Sequence, residues 1–483
     1  MKRFVLPALL TVCALIVSCQ DTKSNVSEQT TFDSTTASAV TEKEPEFHLP
    51  DMDFGGEEVT FLLRMTGNEW SADDVIPSDA LVGDTINDAV AARNMAVEEA
   101  FHVKIKGIEG EASLYNAVAS AVNAGDKTYD VIASDLFDAA SFMQNNMIVD
   151  LHSTNYLQLD QPWWNPYYSK SVSFMGHQYF ALGDISRVYK TGVRCFFFNK
   201  DLAEQLDLGD IYQTVKNGSW TYETMFSLAS KANADLDGNG KMDDADRYGL
   251  QAQSSLGIVL SIGGDMRITD KTDDDVPYLS VDNAYNIRVM EHVMELMQTN
   301  KASLHNCDVW LETQKRFSGG QALFQAEVML LIEVLRYSET NIGILPTPKY
   351  SEEQAQYVSY LDSNCQNVYS IPTTNDRLDV TSFVLEAMAE KSVDTLTPAY
   401  YDICLNGKYI RDEESSDMLD IIFNGCRIEN AETFWWGNMF NTLNTAIIRN
   451  QGIASTVEKR KKATVSDIEK FVDTMKEHLA QNT

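Results

Sequence analysis

Short apolar runs alternate with segments of helical periodicity in the first third of the folded part of the chain. The predicted elements are a strand at 59–63, a helix at 85–101, a strand at 103–105, a helix at 112–124 and a strand at 129–133. In the first helix, apolar side chains recur on one face, which Arg93 interrupts. Strands that alternate with helices through short connections indicate right-handed βαβ units and a mostly parallel sheet.

A second series of strands and helices begins near Arg194. The predicted elements are a strand at 195–198, a helix that opens at 199–202, a helix at 221–234 and a strand at 342–345. Thr221 can cap the 221–234 helix, and Glu223 lies in its first turn, near the positive end of the helix dipole. Pro346 and Pro348 stop the last strand. We therefore expect an α/β protein with two sets of strands.

Length and charge narrow the class of protein. The 483 residues are enough for two or more lobes, each with its own core. The 71 acidic and 38 basic side chains give a formal charge of −33. Nucleic acid and anionic membrane surfaces are poor partners for such a chain, because binding to phosphate depends on clustered Lys and Arg. The hydrophobic content of 44% excludes a wholly disordered chain.

The N-terminus has the pattern of an export signal. Lys2 and Arg3 precede an almost wholly apolar run from Phe4 to Val17, which suits a signal peptide but is shorter than the ~20 residues that span a bilayer. The sequence from Ile16 to Cys19 has the form of a lipobox, in which the Cys19 thiol carries the lipid. The alternative is an ordinary secretory signal with an incidental cysteine. No later segment approaches twenty apolar residues.

The segment after this signal has the composition of a tether. Residues 20–43 contain ten Ser or Thr, and Phe32 is their only large apolar side chain. Such a stretch cannot bury enough surface to offset the entropy of ordering it. We therefore expect residues 1–19 to be a lipoprotein signal peptide and residues 20–55 to be a disordered, Ser/Thr-rich tether.

Several short segments behind the lipobox follow the order and spacing of a known family. They are DTINDAV at 84–90 with RN at 93–94 and FHV at 101–103, YDVI at 129–132, PWWN at 162–165, FNKDL at 198–202, FSGGQALF at 317–324 and GILP at 343–346. On these residues, the chain resembles the extracellular solute-binding lipoproteins of carbohydrate-type ABC importers. The resemblance covers most of residues 56–445.

The resemblance implies a class II periplasmic-binding-protein fold, with two α/β lobes joined by a hinge of crossing segments and closing on a solute in the cleft between them. The implied first lobe comprises residues 56–190 and about 356–440. The implied second lobe comprises residues 191–355 and about 441–483, which include the C-terminal helices. The family also implies an ABC transporter permease as partner and a monomeric protein that reaches the membrane only through its lipid.

Aromatic residues are concentrated in residues 161–198, with eleven in 38 positions. A ring can cover the apolar face of a sugar, while carboxylates, amides and arginine satisfy its hydroxyls. Phe196 to Phe198 is better explained as a buried strand. Two adjacent tryptophan pairs leave packing and ligand stacking open as alternatives, and two single tryptophans in polar stretches are further candidates. These residues are Trp163, Trp164, Trp435, Trp436, Trp70 and Trp310.

Polar candidates follow from the expected topology. Ligands of parallel sheets bind beyond the carboxyl ends of the strands, and Asp135 follows the strand at 129–133. Asp184, Arg187 and Tyr189 lie in the crossover between the lobes, which would line the cleft. The alternative is that Asp184 and Arg187 pair with each other at the hinge. A neutral solute suits this acidic chain best, because the sequence shows no local basic pocket for an anion.

Residues 235–246 match an EF-hand-type calcium loop in register. The expected ligands are Asp235, Asp237, Asn239, the backbone carbonyl of Lys241, Asp243 and Asp246. Gly240 at position 6 permits the sharp turn. The loop departs from the pattern in having Asp rather than Glu at position 12, and no second EF helix follows, because residues 248–250 read as a strand. We expect a structural Ca²⁺, with a metal-free polar turn as the alternative.

Motifs for catalysis are absent from the sequence. It contains no HExxH, no G-x-S-x-G, no GxxxxGK[ST] and no GxGxxG. We therefore expect a lipid-anchored binding protein, not an enzyme, that captures a sugar or oligosaccharide and delivers it to a permease. A binding protein for a peptide or other small solute is one alternative. A surface polysaccharide-active enzyme or adhesin is another, from a different class.

Overall fold

The computed structural model describes residues 47–65, 74–335, 338–364, 367–405 and 413–481. The predicted signal peptide with Cys19, most of the predicted tether and Trp70 lie outside the described residues. The prediction of a disordered tether is wrong for its end at 47–55, because Leu49 is buried in a core and the Phe47 ring packs 4.8 Å from that of Phe101. Strand and helix alternate as the sequence predicts, and several predicted bounds are met closely. The helix predicted at 85–101 extends over Thr85–Phe101, and the strand predicted at 342–345 over Ile342–Leu345. Among the described residues, the structure contains no helix that combines the length and the apolar character needed to cross a bilayer.

The strands are short, and most of their residues are buried. In chain order they are β1 (Glu57–Leu63), β2 (Val103–Glu109), β3 (Val131–Ser134), β4 (Arg194–Asn199), β5 (Tyr248–Ala252), β6 (Thr269–Lys271), β7 (Pro277–Leu279), β8 (Leu304–Asn306), β9 (Ala322–Val328), β10 (Ile342–Leu345), β11 (Ser359–Tyr360), β12 (Val368–Ser370) and β13 (Cys426–Arg427).

The α-helices connect and cover these strands. In chain order they are α1 (Thr85–Phe101), α2 (Tyr115–Ala124), α3 (Leu136–Gln144), α4 (Pro166–Val172), α5 (Val188–Thr191), α6 (Lys200–Gln205), α7 (Ile211–Lys216), α8 (Tyr222–Ala232), α9 (Leu256–Gly263), α10 (Ala284–Thr299), α11 (Trp310–Ser318), α12 (Leu331–Leu335), α13 (Leu378–Ser392), α14 (Leu396–Leu405), α15 (Glu413–Asn424), α16 (Asn430–Thr433), α17 (Met439–Ile448) and α18 (Ile453–Gln481).

The first sheet has the strand order β12-β3-β1-β2. The pairs β1–β2 and β1–β3 are parallel, as the βαβ pattern predicts, and β12 joins β3 in the antiparallel sense. In β1, Phe61 and Leu63 pack into one apolar cluster and Leu62 packs into another. A strand that is apolar on both faces is typical of a sheet covered by helices on both sides.

The second sheet has the strand order β10-β4-β9-β5-β8. The strand β5 is parallel to both β8 and β9, whereas β4 is antiparallel to its neighbours β9 and β10. In β4, Phe196 and Phe198 pack on one side of the sheet and Phe197 packs into a different cluster. The prediction that this aromatic run is a buried strand is confirmed, because each ring lies in a core.

The chain passes between the two sheets more than once. It leaves the first sheet after β3, enters the second at Arg194, and returns to the first at Val368. One apolar cluster contains Leu62 and Ile132 of the first sheet together with Phe197 of the second. The two sheets are therefore joined by a shared core as well as by the crossing segments.

One predicted lobe boundary differs from the observed packing. The sequence assigns residues 356–440 to the first lobe, but α15 within that range packs against the second sheet. Met418 lies in the apolar cluster of the second sheet, and Ser415 Oγ lies 3.0 Å from Tyr212 Oη on α7. Its charged face also pairs with α7, because Lys216 Nζ lies 2.8 Å from Asp417 Oδ2. The long amphipathic helix α18 follows α17 near the C-terminus, where we expected helices.

Candidate functional site

Arg64 and Asp135 lie together at the carboxyl ends of β1 and β3, which we call the first edge. Arg64 Nη2 lies 3.0 Å from Asp135 Oδ2, and both side chains are nearly buried. The other carboxylate oxygen of Asp135 accepts a 2.8 Å hydrogen bond from the backbone N–H of Asp138 and so caps α3. Burial raises the pKa of Asp135, and Arg64 opposes that shift. The structure places Asp135 at the strand end, as the topology rule predicts.

Two aromatic rings lie beside this edge. Phe137 is in the first turn of α3, and its ring centroid lies 5.6 Å from that of Trp435. Trp435 is 55% exposed, in contrast to most large apolar side chains of the protein. Its backbone is left-handed, with φ at +56°, so the chain turns sharply there and leaves the ring at the surface. The first edge thus combines a buried ion pair with an exposed indole face.

The second edge lies at the carboxyl ends of β5 and β9. Arg194, the first residue of β4, donates from Nη1 to Gln253 Oε1 over 3.0 Å and to Glu327 Oε1 over 3.1 Å. Glu327 is buried, and burial raises its pKa, which Arg194 opposes. Asp308, after β8, accepts a 2.7 Å hydrogen bond from the backbone N–H of Ser254. This edge therefore carries amide and carboxylate groups around one arginine.

A crossing segment connects the two edges. Arg194 Nη2 lies 2.7 Å from Asp362 Oδ2. Two residues on, Asn364 accepts hydrogen bonds from Arg64 at its backbone oxygen, over 3.1 Å, and at Oδ1, over 3.4 Å. Asp362 Oδ1 in turn accepts from the Asn364 backbone N–H over 3.1 Å. The segment between the two sheets is thus bound to an arginine of each, which is the arrangement expected of a hinge.

A partly buried carboxyl group lies behind the hinge. Tyr360 Oη donates to Glu432 Oε2, and Glu432 is on α16, three residues before Trp435. Burial, followed by repulsion from Asp362, raises the pKa of Glu432 to about 7. The hinge segment and the turn that carries the exposed indole therefore share a carboxyl group that titrates near neutral pH.

The first predicted tryptophan pair lies in a core. Trp163 and Trp164 are buried, and their indole Nε1 atoms donate to the two oxygens of Glu386 on α13, over 2.9 and 2.6 Å. A Cβ atom on Gly183 would lie 2.2 Å from the Trp163 carbonyl oxygen, so glycine is required for this close approach. This placement favours the packing alternative for both tryptophans, and we do not assign either to a ligand surface.

The crossover candidates have protein partners of their own. Asp184 Oδ1 accepts a 2.7 Å hydrogen bond from Tyr189 Oη and pairs with Lys190. The alternative that Asp184 and Arg187 pair with each other is wrong, because Arg187 binds two other carboxylates. Its Nε lies 3.0 Å from Asp74 Oδ1 and its Nη1 lies 2.6 Å from Glu333 Oε1.

The remaining predicted tryptophans differ from one another. Trp436 is buried, and its ring stacks on Phe434 with centroids 5.1 Å apart. Trp310 begins α11 and is partly buried against the apolar cluster that joins the sheets. Trp435 is the predicted tryptophan that the structure places both at the surface and at an edge with Asp135. The link between Trp435 and Asp135 is Phe137, which follows Asp135 by two residues and contacts the Trp435 ring. Trp163 and Trp164 belong to a separate core.

The predicted calcium loop brings three carboxylates together. One oxygen each from Asp235, Asp237 and Asp246 lies within 4.8 Å of the others. Asn239 Nδ2 bridges two of the acidic side chains of the loop, at 2.8 Å from Asp237 Oδ2 and 3.3 Å from Asp243 Oδ2. Backbone N–H groups lower the pKa of Asp235 and hold it ionised. Hard carboxylate oxygens at this spacing fit Ca²⁺ chemically.

Sequence reasoning missed several residues of the two edges. Arg64 follows β1 as Asp135 follows β3, so the rule that selected Asp135 could also have selected Arg64. Glu327 lies at the end of β9 and Gln253 directly follows β5, so the same rule could have identified both. Phe137 and Asn364 carried no such signal, since their roles depend on partners far away in the chain.

Comparisons with known proteins agree on the fold. No family model matches the sequence, and the comparison with curated proteins found no match. Among solved structures, the GacH receptor of Streptomyces glaucescens, solved unliganded and with acarbose, is 15% identical and has a TM-score of 0.50. It covers 88% of this chain and 99% of its own.

Two further solved structures resemble the chain. An ABC substrate-binding protein from Listeria monocytogenes in complex with cycloalternan is 12% identical, with a TM-score of 0.52, and covers 86% of this chain and 99% of its own. A cyclo/maltodextrin-binding protein complexed with maltotetraose is 12% identical, with a TM-score of 0.54, and covers 87% of this chain and 97% of its own. The chain has the two-lobed α/β fold of these binding proteins. The fold that the resemblance implied is confirmed.

Proposed function

We propose that the protein captures a sugar or oligosaccharide in the cleft between its two lobes and delivers it to the permease of an ABC transporter. The observation that carries this proposal is that one edge presents aromatic rings and the other presents polar groups, and that a crossing segment binds both. The first edge offers the exposed Trp435 ring beside Phe137, and the second offers Gln253 and Glu327. A ring can cover the apolar face of a sugar while amides and carboxylates bind its hydroxyls.

Hinge closure is the proposed mechanism. The segment with Asp362 and Asn364 is bound to Arg194 of one sheet and Arg64 of the other. A solute that contacts both edges binds the closed form better than the open form and shifts the population toward it. The permease would then read the closed shape. We propose capture and release of the solute, with no bond-breaking step.

The charges at the edges support a neutral solute. Each arginine that we assign to an edge is paired with at least one carboxylate: Arg64 with Asp135, and Arg194 with Glu327 and Asp362. A carboxylate or phosphate on the solute would compete with these pairs and meet a negative surface. Hydroxyl groups meet no such repulsion, and so a carbohydrate is preferred to an anionic peptide.

The binding test uses the sugars seen with the structural neighbours. Maltotetraose, acarbose and cycloalternan are titrated into the purified protein, followed by thermal shift and calorimetry, and the mixtures are analysed for cleaved sugar. We expect saturable stabilisation by at least one sugar and no product, since a ligand of the native state raises its apparent stability. X-ray scattering should show a smaller radius of gyration with the bound sugar. Sugar release would instead indicate an enzyme.

We also propose that Cys19 carries a lipid that anchors the protein at the outer face of the cell membrane. The apolar run and lipobox at residues 4–19 support this proposal. Replacement of Cys19 by Ala should release the protein into the medium, and full retention in the membrane fraction would contradict it. Cys13→Ala, which alters the apolar run and not the lipobox, is the matched control.

A structural Ca²⁺ in the loop 235–246 is a third proposal. Asp235, Asp237 and Asp246 would hold the ion, with Asn239, the Lys241 carbonyl and Asp243 completing its ligands. An ion that binds only the native state at a concentration 100 times its Kd stabilises by about 2.7 kcal/mol. A chelator should therefore lower the melting temperature of the wild type and not that of Asp235→Asn. An equal effect on both proteins would argue against the site.

A further inference from the structure

A narrow pocket opens at the second edge, between the ends of β4, β5 and β9 and the start of α9. Both polar and apolar side chains line it. The residues that matter here are Arg194, Gln253, Glu327 and Ser255 on the polar side and Leu256 and Val259 on the apolar side. Its free space is close to that of one water molecule, so it admits a single hydroxyl-sized group and not a whole sugar ring.

The two oxygens of Glu327 are unequally satisfied. Oε1 accepts from Arg194 Nη1 over 3.1 Å and from the Val328 backbone N–H over 3.0 Å. Oε2 is buried and accepts no hydrogen bond from any residue that the structure describes. The side chain is only 1% exposed. Glu386, another buried glutamate, differs in that each of its oxygens accepts from an indole N–H. A buried acceptor without a donor is unfavourable, and a ligand donor removes that penalty.

The charges around the pocket favour a neutral group as the hydrogen-bond donor to Glu327 Oε2. Glu327 and Asp362 both bind Arg194, and Asp308 lies near enough to act on Glu327. An anionic group would be repelled from this position. A neutral hydroxyl can donate a hydrogen bond to Glu327 Oε2, while its oxygen lies near the polar side chains of the pocket.

We propose that this pocket is a specificity subsite, in which one hydroxyl group of the bound sugar donates a hydrogen bond to Glu327 Oε2. The inference rests on the proposed function and adds to it the residue of the second lobe that discriminates between solutes. A sugar that lacks this hydroxyl would leave Oε2 buried and unpaired. A sugar with a carboxylate or phosphate at the same position would be rejected by charge.

Two variants test the subsite in different ways. Glu327→Gln keeps the shape and removes the charge, and Ser255→Val fills the pocket without changing Glu327 or Arg194. Glu386→Gln is the control, because it alters a buried glutamate that lies outside the pocket. Calorimetric titration with maltotetraose, acarbose and cycloalternan gives Kd for each protein. Hydrogen bonds to charged groups imply a loss of affinity of about 10- to 100-fold in Glu327→Gln.

The outcomes separate the subsite from the proposed function. Weaker binding in both pocket variants, with unchanged Kd in Glu386→Gln, supports the inference. Wild-type affinity in Glu327→Gln and Ser255→Val overturns the subsite and leaves sugar capture in place. Weaker binding in Glu327→Gln alone also overturns it, because the effect would then come through Arg194. If none of the three sugars binds the wild type, the proposed function fails first and the subsite with it.

Discussion

The two adjacent tryptophan pairs have the same local sequence pattern and opposite structural roles. Trp163 and Trp164 are both buried, and each indole N–H binds an oxygen of Glu386. In the other pair, Trp436 is buried in a cluster of aromatic rings, while Trp435 is 55% exposed. The first pair therefore serves the core of the first lobe, and the second pair is divided between a core and a surface.

Backbone conformation explains the difference. Pro162 begins a 3₁₀ turn that directs both rings of the first pair inward, toward α13. In the second pair, Trp435 itself adopts a left-handed conformation, with φ at +56°, and Gly437 does so two residues later. Adjacent side chains then point in different directions, and one ring remains at the edge beside Phe137. In this protein, the left-handed backbone at Trp435 is what separates the directions of the two rings.

The largest expected effect is on the first pair. Trp164→Ala should lower the free energy of unfolding by about 3–5 kcal/mol, because it removes a fully buried ring and leaves a cavity. Chemical denaturation measures this loss, with Trp435→Ala as the matched control. Where the variant remains folded, sugar affinity should stay within twofold of wild type. A Trp164→Ala protein of normal stability that no longer binds sugar would reverse our assignment of the two pairs.

The second largest expected effect on stability is at Glu386, which accepts the indole hydrogen bonds of Trp163 and Trp164. Glu386→Gln leaves one indole N–H without an acceptor, and an unsatisfied buried donor costs about 1–3 kcal/mol. Denaturation of Glu386→Gln beside wild type tests the size of the effect. A double variant with Trp163→Phe should lose less than the sum of the two single losses, because the phenyl ring has no donor to leave unpaired. Strict additivity would mean that the Trp163 hydrogen bond contributes nothing.

For the exposed member of the second pair, the expected change is in binding and not in stability. Trp435→Ala should alter the free energy of unfolding by less than about 1 kcal/mol, since the ring is half in solvent. It should weaken sugar binding about tenfold, a loss of about 1.4 kcal/mol of stacking. Tyr278→Ala is the control, because Tyr278 is an exposed aromatic on β7, outside both edges. If sugar titrations of Trp435→Ala matched those of the wild type, a role for Trp435 in sugar binding would be contradicted.

The smallest expected effect is a pH dependence near the second pair. The pKa of Glu432 is raised from 4.5 to about 7 by burial. A carboxyl whose pKa is raised on folding contributes stability that is fully present below the unfolded pKa and is lost as pH rises through the folded pKa. Melting temperature should therefore fall between about pH 5 and pH 8, and Glu432→Gln should flatten that slope. A slope that persists in the variant would have to arise from other carboxyl groups.

Local signals in the sequence were sufficient for much of the fold. Asp84 and Thr221 cap α1 and α8 through their side chains, and the apolar spacing that follows each cap defines the helix. The alternation of such helices with short apolar strands led to two sets of α/β units, and both sheets are observed. The bounds of the lobes were harder to predict from the sequence, because α15 packs on a sheet whose strands come much earlier in the chain.

In the candidate site, too, some residues could be predicted from the sequence and others could not. Asp135 was predictable because strand ends in a parallel sheet collect at one edge, and the loop at 235–246 was predictable because its ligands are contiguous. The roles of Arg187, Trp163 and Trp164 were not predictable. Their partners are Asp74, Glu333 and Glu386, which lie more than a hundred residues away in the chain.

By itself, the sequence determined the alternation of the main strands and helices, the Thr221 cap of α8 and the ligand pattern of the loop at 235–246, because each of these depends on nearby residues in the chain. Tertiary structure decided which tryptophan is exposed, which arginine binds which carboxylate and which oxygen of Glu327 is left without a donor. The physical reason is that burial and ion pairing depend on where distant segments pack. Trp164 and Glu386 are 222 residues apart in the chain, yet their atoms lie 2.6 Å apart.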